Sequence, residues 1–134
     1  MKKVLTFGLY DFLHIGNILL FERAKKLGDY LIVAVQDGDY ILKYKPEAKM
    51  VYNTEERLYM VRSINYVAEV ITYKDVDIDI QNIEFDVFAK GPDQCPPGFQ
   101  RAVKWCEEHG KEVVTLPRTE GISSTMLREY SRVK

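Results

Sequence analysis

Two hydrophobic periods alternate along this chain. Residues 4–7, Val-Leu-Thr-Phe, are β-rich and stop at Gly8. Residues 18–27 instead place Leu20, Ala24 and Leu27 at helical spacing, with Glu22, Lys25 and Lys26 on the other side. Gly28 follows as a natural helix stop. Residues 30–35, Tyr-Leu-Ile-Val-Ala-Val, are apolar without a break. A strand covered on both faces has this pattern, and such strands belong to parallel sheets. Strand, helix and strand make one βαβ unit with a right-handed crossover.

The rhythm lapses over residues 36–53, where Lys43, Lys45 and Lys49 mix with Tyr40, Tyr44 and Pro46, and a loop is expected. Thr54 offers an N-cap with Glu55 and Glu56 behind it, where the helix dipole favours acids, and this helix is predicted to end near Ser63. Residues 67–73 read as a third strand. Residues 75–82 alternate strictly, which fits a strand, although a short helix suits the α/β rhythm better. A fourth strand is predicted at 86–89, ended by Gly91-Pro92, then a helix at 99–109 with Gly110 beyond it. A fifth strand at 113–116, a loop at 117–121 and a last helix, capped by Ser123 or Ser124 and ending near Tyr130, complete the chain. No repeat or linker intervenes. The expectation is one α/β domain over residues 1–134, a doubly wound, mostly parallel five-stranded sheet.

Charge narrows the ligand. Nineteen basic residues face 20 acidic ones, for a formal net of −1. Bulk electrostatics therefore points to neither nucleic acid nor a membrane surface. A phosphate ligand needs a local cluster. No apolar run approaches the roughly 20 residues of a bilayer span. The basic start, Met1-Lys2-Lys3, has no long apolar core behind it, so no signal peptide is expected. Cys95 and Cys106 show neither metal nor CxxC spacing, so free thiols and a cytoplasmic location are expected.

In doubly wound sheets, ligands bind outside the carboxyl ends of the strands, where strand order reverses. Three segments fall at that edge. The first runs from Gly8 to Asn17. Gly8 would allow a sharp turn and Gly16 a close ligand approach. The open N–H groups and positive dipole end of the next helix would form an anion site. His14 and Asn17, three apart, share a face of its first turn, and both can donate to phosphate. The plainer alternative is that they only cap the helix. The second segment is Lys43-Tyr44-Lys45, which taken alone reads as a solvated loop. The third, Arg118-Thr119-Glu120-Gly121-Ile122-Ser123-Ser124-Thr125, sets an Arg, a Gly and several hydroxyls around the start of the last helix, a second anion site. An N-cap with a spare Arg is its plainer alternative.

These residues resemble the cytidylyltransferase family of nucleotidyltransferases, most closely its small members that use glycerol 3-phosphate. The family's HxGH motif stands here as His14-Ile15-Gly16-Asn17, and its RTxGISTT-like motif as residues 118–125. Gly8, Asp11, Glu22-Arg23-Ala24-Lys25, Leu27-Gly28-Asp29-Tyr30-Leu31 and Leu116-Pro117 match as well, colinearly over nearly the whole chain. The resemblance implies a Rossmann-like nucleotidyltransferase fold, a homodimer, and transfer of a cytidylyl group from CTP to a small phosphorylated alcohol, with Mg²⁺ or another divalent cation. It implies catalytic roles for His14, Asn17, Lys43 and Arg118. Nucleotide contacts would come from Leu9, Tyr10, Lys45, Asp93, Thr119, Gly121, Ile122, Ser123 and Ser124. Metal ligands stay unassigned, with Asp11 a candidate. The chain departs from the family at Asn17, where a second histidine is usual, and at Asn65 and Ala68, where an Arg-Tyr-Val-Asp-Glu segment has Arg and Asp. Residues 94–99 do not match. A catalytically impaired nucleotide-binding homologue and an adenylyltransferase using ATP are the alternative readings.

Overall fold

The first apolar run becomes β1 (Lys3–Gly8), the central strand of a sheet. A computed structural model describes residues 1–44, 46–47, 49–92 and 96–117 of the chain. β1 leads into α1 (Ile15–Lys25) and returns through β2 (Tyr30–Gln36), paired in parallel from Lys3↔Tyr30 to Gly8↔Val35. The chain continues through α2 (Gly38–Tyr44), α3 (Thr54–Arg62), β3 (Glu69–Tyr73) and α4 (Val76–Asp79), which runs into one 3₁₀ turn. It then crosses to the other side of β1 for β4 (Val87–Lys90), α5 (Pro97–Glu108) and β5 (Glu112–Thr115). Strand order is β3-β2-β1-β4-β5, and every pairing is parallel. The doubly wound five-stranded reading is therefore correct, and the order reverses between β1 and β4.

Strand alternation sends side chains into two cores. Val4, Leu31, Val33, Val35, Val87 and Ala89 pack under α1 and α3 with Phe21, Ala24, Leu58 and Val61. Leu5, Phe7, Ile32, Ala34 and Phe88 pack under α4 and α5 with Val76, Ile80, Ala102 and Cys106. Cys106 is a free, buried thiol, pushed up to about 11 by burial. Cys95 lies outside the described residues.

Three expectations need correction. The expected loop at 36–53 contains α2, capped by Asp37, whose Oδ1 accepts the Asp39 N–H at 2.9 Å and the Tyr40 N–H at 3.2 Å. The N-cap of α3 is Asn53, not Thr54. Asn53 and Glu56 exchange hydrogen bonds in a capping box, which leaves the Thr54 hydroxyl for another partner. The third strand starts at Glu69 rather than 67. At 75–82 the helical alternative holds, because Val76 and Ile80, four apart, point inward while Ile78 faces solvent. The predicted last helix lies outside the described residues. Among the described residues no helix is long and apolar enough to cross a membrane.

Candidate active site

The loop leaving β1 and the first turn of α1 stand at the strand carboxyl ends, beside the β1/β4 reversal. His14 is the N-cap of α1, with extended backbone (φ −143°, ψ 176°). Its Nδ1 accepts the Gly16 N–H at 3.0 Å, and its own N–H donates to Asn17 Oδ1 at 3.1 Å. Both side chains thus serve the cap as acceptors. That assignment fixes their remaining chemistry. A neutral imidazole accepting at Nδ1 carries its proton at Nε2, and an amide accepting at Oδ1 keeps its NH₂ for donation. Of the two readings of the sequence, capping is the one these hydrogen bonds display.

The expected row of open amides is corrected by the same geometry. The Gly16 N–H is taken by His14, while the Asn17 and Ile18 N–H groups reach the His14 carbonyl at 3.0 and 3.3 Å.

Gly8 and Tyr10 exchange roles. A Cβ on Gly8 would lie 2.4 Å from Tyr10 Cζ, so the glycine makes room for that ring. The unusual turn falls on Tyr10 itself, at φ 54°, a region costly for a side chain of this size. The Tyr10 ring is buried and packs edge-on against Phe21, at 5.2 Å between centroids. Burial raises its phenol above the ordinary value. The expected nucleotide contact from Tyr10 is thereby limited to main chain. Leu9 is exposed.

Asp11, the metal candidate, is 2% exposed. Its Oδ1 accepts the Tyr52 N–H and its Oδ2 the Val51 N–H, each at 2.8 Å. It anchors the chain ahead of α3. Among the described residues no group of three His, Cys, Asp or Glu could hold a metal ion.

Arg57 was not foreseen from the sequence. It lies one turn into α3, fully buried, on the inward face with Leu58 and Val61. Its Nη1 donates to the carbonyls of Leu9 at 2.9 Å and Gln36 at 2.8 Å, and its Nη2 to Thr54 Oγ1 at 3.2 Å. Desolvation pulls its pKa down, while Asp11, Asp37 and Tyr73 push it up. A cation at an inward helical position was the available signal.

Lys43 is exposed in the last turn of α2, which follows β2 at the same sheet edge. Pro117, which precedes Arg118, is tied to α1 by Arg23, whose Nη1 donates to its carbonyl at 3.2 Å. Lys45, Asp93, Arg118, Thr119, Gly121, Ile122, Ser123 and Ser124 lie outside the described residues. A groove on α3, lined by Tyr52, Glu55, Glu56, Tyr59 and Met60, brings two carboxylates and no cation, a poor match for phosphate.

A 3-2-1-4-5 parallel sheet with a βα loop and a helix start at its reversal point is a doubly wound, Rossmann-like architecture. Comparison with known proteins agrees. Over 89% of its length the chain superposes, with a TM-score of 0.70 and 23% identity, on 97% of a lipopolysaccharide core biosynthesis protein from Thermoplasma volcanium GSS1, a likeness of fold. It is 43% identical over 132 residues to the glycerol-3-phosphate cytidylyltransferase of Bacillus subtilis (strain 168), covering 96% of each chain. It is 36% identical over 123 residues to the FAD synthase of Thermococcus kodakarensis, covering 86% of this chain and 79% of that one. Residues 5–130 match the cytidylyltransferase-like family. The chain belongs to that family and is an enzyme of its kind, a cytidylyltransferase.

Proposed function

We propose that the enzyme transfers a cytidylyl group from CTP to a small phosphorylated alcohol, glycerol 3-phosphate first, and releases pyrophosphate. The observation that supports this is the His14–Asn17 capping box at the start of α1, which sets an imidazole and an amide beside the β1/β4 reversal, the edge at which such sheets bind ligands. In the reaction an oxygen of the acceptor phosphate attacks the α-phosphorus of CTP. A new P–O bond forms, the bond to the β-phosphate oxygen breaks, and pyrophosphate leaves with the electron pair. The acceptor's second pKa lies near 6, so it is already a dianion at neutral pH and needs no general base. The protein's task is to hold two polyanions together and offset charge at the α-phosphate and the leaving group. His14 Nε2–H, the Asn17 NH₂, Lys43, Lys45 and Arg118 are assigned to it.

The donor set does not form a cage for Mg²⁺, since both Asp11 oxygens hold main-chain amides. The divalent cation is therefore proposed to arrive with the triphosphate, and no step is assigned to it. A homodimer is proposed as well. Val51, Tyr52 and Tyr59 are exposed around α3, and tyrosine is enriched at interfaces.

The similarity to an FAD synthase supports a second reading, transfer of an adenylyl group from ATP. One experiment separates the two. The folded protein is incubated with Mg²⁺, each of the four nucleoside triphosphates and a panel of phosphorylated alcohols, and pyrophosphate is measured. CTP with glycerol 3-phosphate is expected to lead. A clear preference for ATP would favour the second reading, and no release with any pair would overturn both.

A further inference from the structure

We propose that Arg57 is a positioning residue, the hub of a buried clamp that fixes the start of the Lys43-bearing helix α2, and the chain returning at Val51 and Tyr52, against the loop that leads to His14. Its consequence for turnover rests on the function proposed above, whereas the clamp itself rests on hydrogen bonds alone. A position that merely packed α3 onto the sheet would favour Leu or Met, because a buried guanidinium is costly unless its donors are engaged. Here both terminal nitrogens are engaged, at specific partners, while the buried Nε has none. Nη1 joins the Leu9 and Gln36 carbonyls, at the carboxyl ends of two adjacent strands. Carbonyls at or just past the last rung of a sheet ladder, as here at Gln36 and Leu9, need hydrogen-bond partners that the neighbouring strands do not supply. Nη2 reaches Thr54 Oγ1, and that hydroxyl also accepts the Gly38 N–H at 2.9 Å.

The chain thus leaves at Gly38 under Thr54. It returns at Val51 and Tyr52 under the Asp11 carboxylate. Both ends are tied to the Leu9–Asp11 loop that leads to His14. There is no slack at the departure point: a Cβ on Gly38 would lie 2.9 Å from Thr54 Oγ1 and 3.0 Å from Arg57 Nη2. Lys43 rides on the helix that begins there. Arg57 therefore sets where Lys43 stands relative to His14 without touching substrate.

Removing Arg57 outright risks unfolding, so Thr54→Val is the better probe. It is isosteric, spares the Asn53 cap, and deletes the hydroxyl that joins Gly38 to Arg57. Two measurements decide. Amide hydrogen exchange is expected to quicken by about tenfold or more at residues 9–11 and 38–43 together, with the β3–α5 amides unchanged. Unchanged exchange at both segments, or a uniform rise across the molecule, would overturn the clamp. In turnover, Thr54→Val is expected to lower kcat/KM about tenfold in the wild type but under about threefold in a Lys43→Ala background, because coupled losses do not multiply. Losses that multiply would show that the clamp does not act through Lys43. If the wild type turns over no nucleotide, the functional reading fails, and exchange alone decides the clamp.

Discussion

Asn17 stands where the resembling family has its second histidine, and the capping box explains how the exchange preserves the helix cap. A histidine there would have to accept the His14 N–H at Nδ1 and donate from Nε2. Asparagine does both with Oδ1 and its NH₂, and it does not titrate. Asn17→His is accordingly expected to stay within about tenfold of wild-type kcat. Asn17→Asp keeps the shape and the capping acceptor but replaces the donor with an anionic oxygen. It should lower kcat about a hundredfold or more while thermal stability holds or rises, since acids suit the first turn of a helix. Steady-state kinetics beside thermal melts checks this, and near-normal turnover of Asn17→Asp would leave Asn17 a cap alone. Gly8 makes a second prediction at this scale. The Tyr10 ring sits where an alanine Cβ would go, so Gly8→Ala should cost about 1–3 kcal/mol in urea unfolding, an overpacking penalty.

Elements are tied to one another by bonds that a sequence does not advertise. The Tyr66 hydroxyl, just past α3, donates to Glu22 Oε2 on α1 at 2.6 Å. That bond holds the Glu22 carboxyl below its ordinary 4.5 and raises the Tyr66 phenol above its ordinary 10.0. The signs give a window. A lowered carboxyl pKa contributes stability that is present above about pH 4.5 and lost as pH falls through the folded value. A raised phenol pKa contributes stability that is present below about pH 10 and lost as pH rises through the folded value. Thermal midpoints of wild type and Tyr66→Phe should therefore differ by a constant amount from about pH 5 to 9 and converge toward either extreme. A gap that widens on acidification would contradict this. The same scale explains why α2 was hidden. Among its described side chains Ile41 is the one buried apolar one, beside a buried Gly38 at the start, and a single inward apolar position cannot display a period. Asp37 before Gly38 was the one legible sign of a cap.

At the scale of the whole molecule the proposed homodimer makes the prediction. Tyr59 is 70% exposed on α3, with Val51 and Tyr52 nearby in the chain ahead of it. Sedimentation at micromolar concentration is expected to give twice the chain mass of 15.6 kDa, and a single-chain mass would refute the dimer. The sequence by itself determined the sheet and its parallel sense. Unbroken apolar runs such as residues 30–35 need cover on both faces, and only alternating helices supply it. It also marked His14 and Asn17, because helix caps and phosphate sites draw on the same short polar vocabulary. Tertiary structure alone decided which atoms of those residues serve the cap, that Tyr10 turns inward, and that Asp11 anchors the approach to α3. It alone showed Arg57 as a hub, since its carbonyl partners lie 48 and 21 residues away in the chain. A periodicity reports which face a residue occupies. It carries no record of what meets that face from elsewhere in the fold.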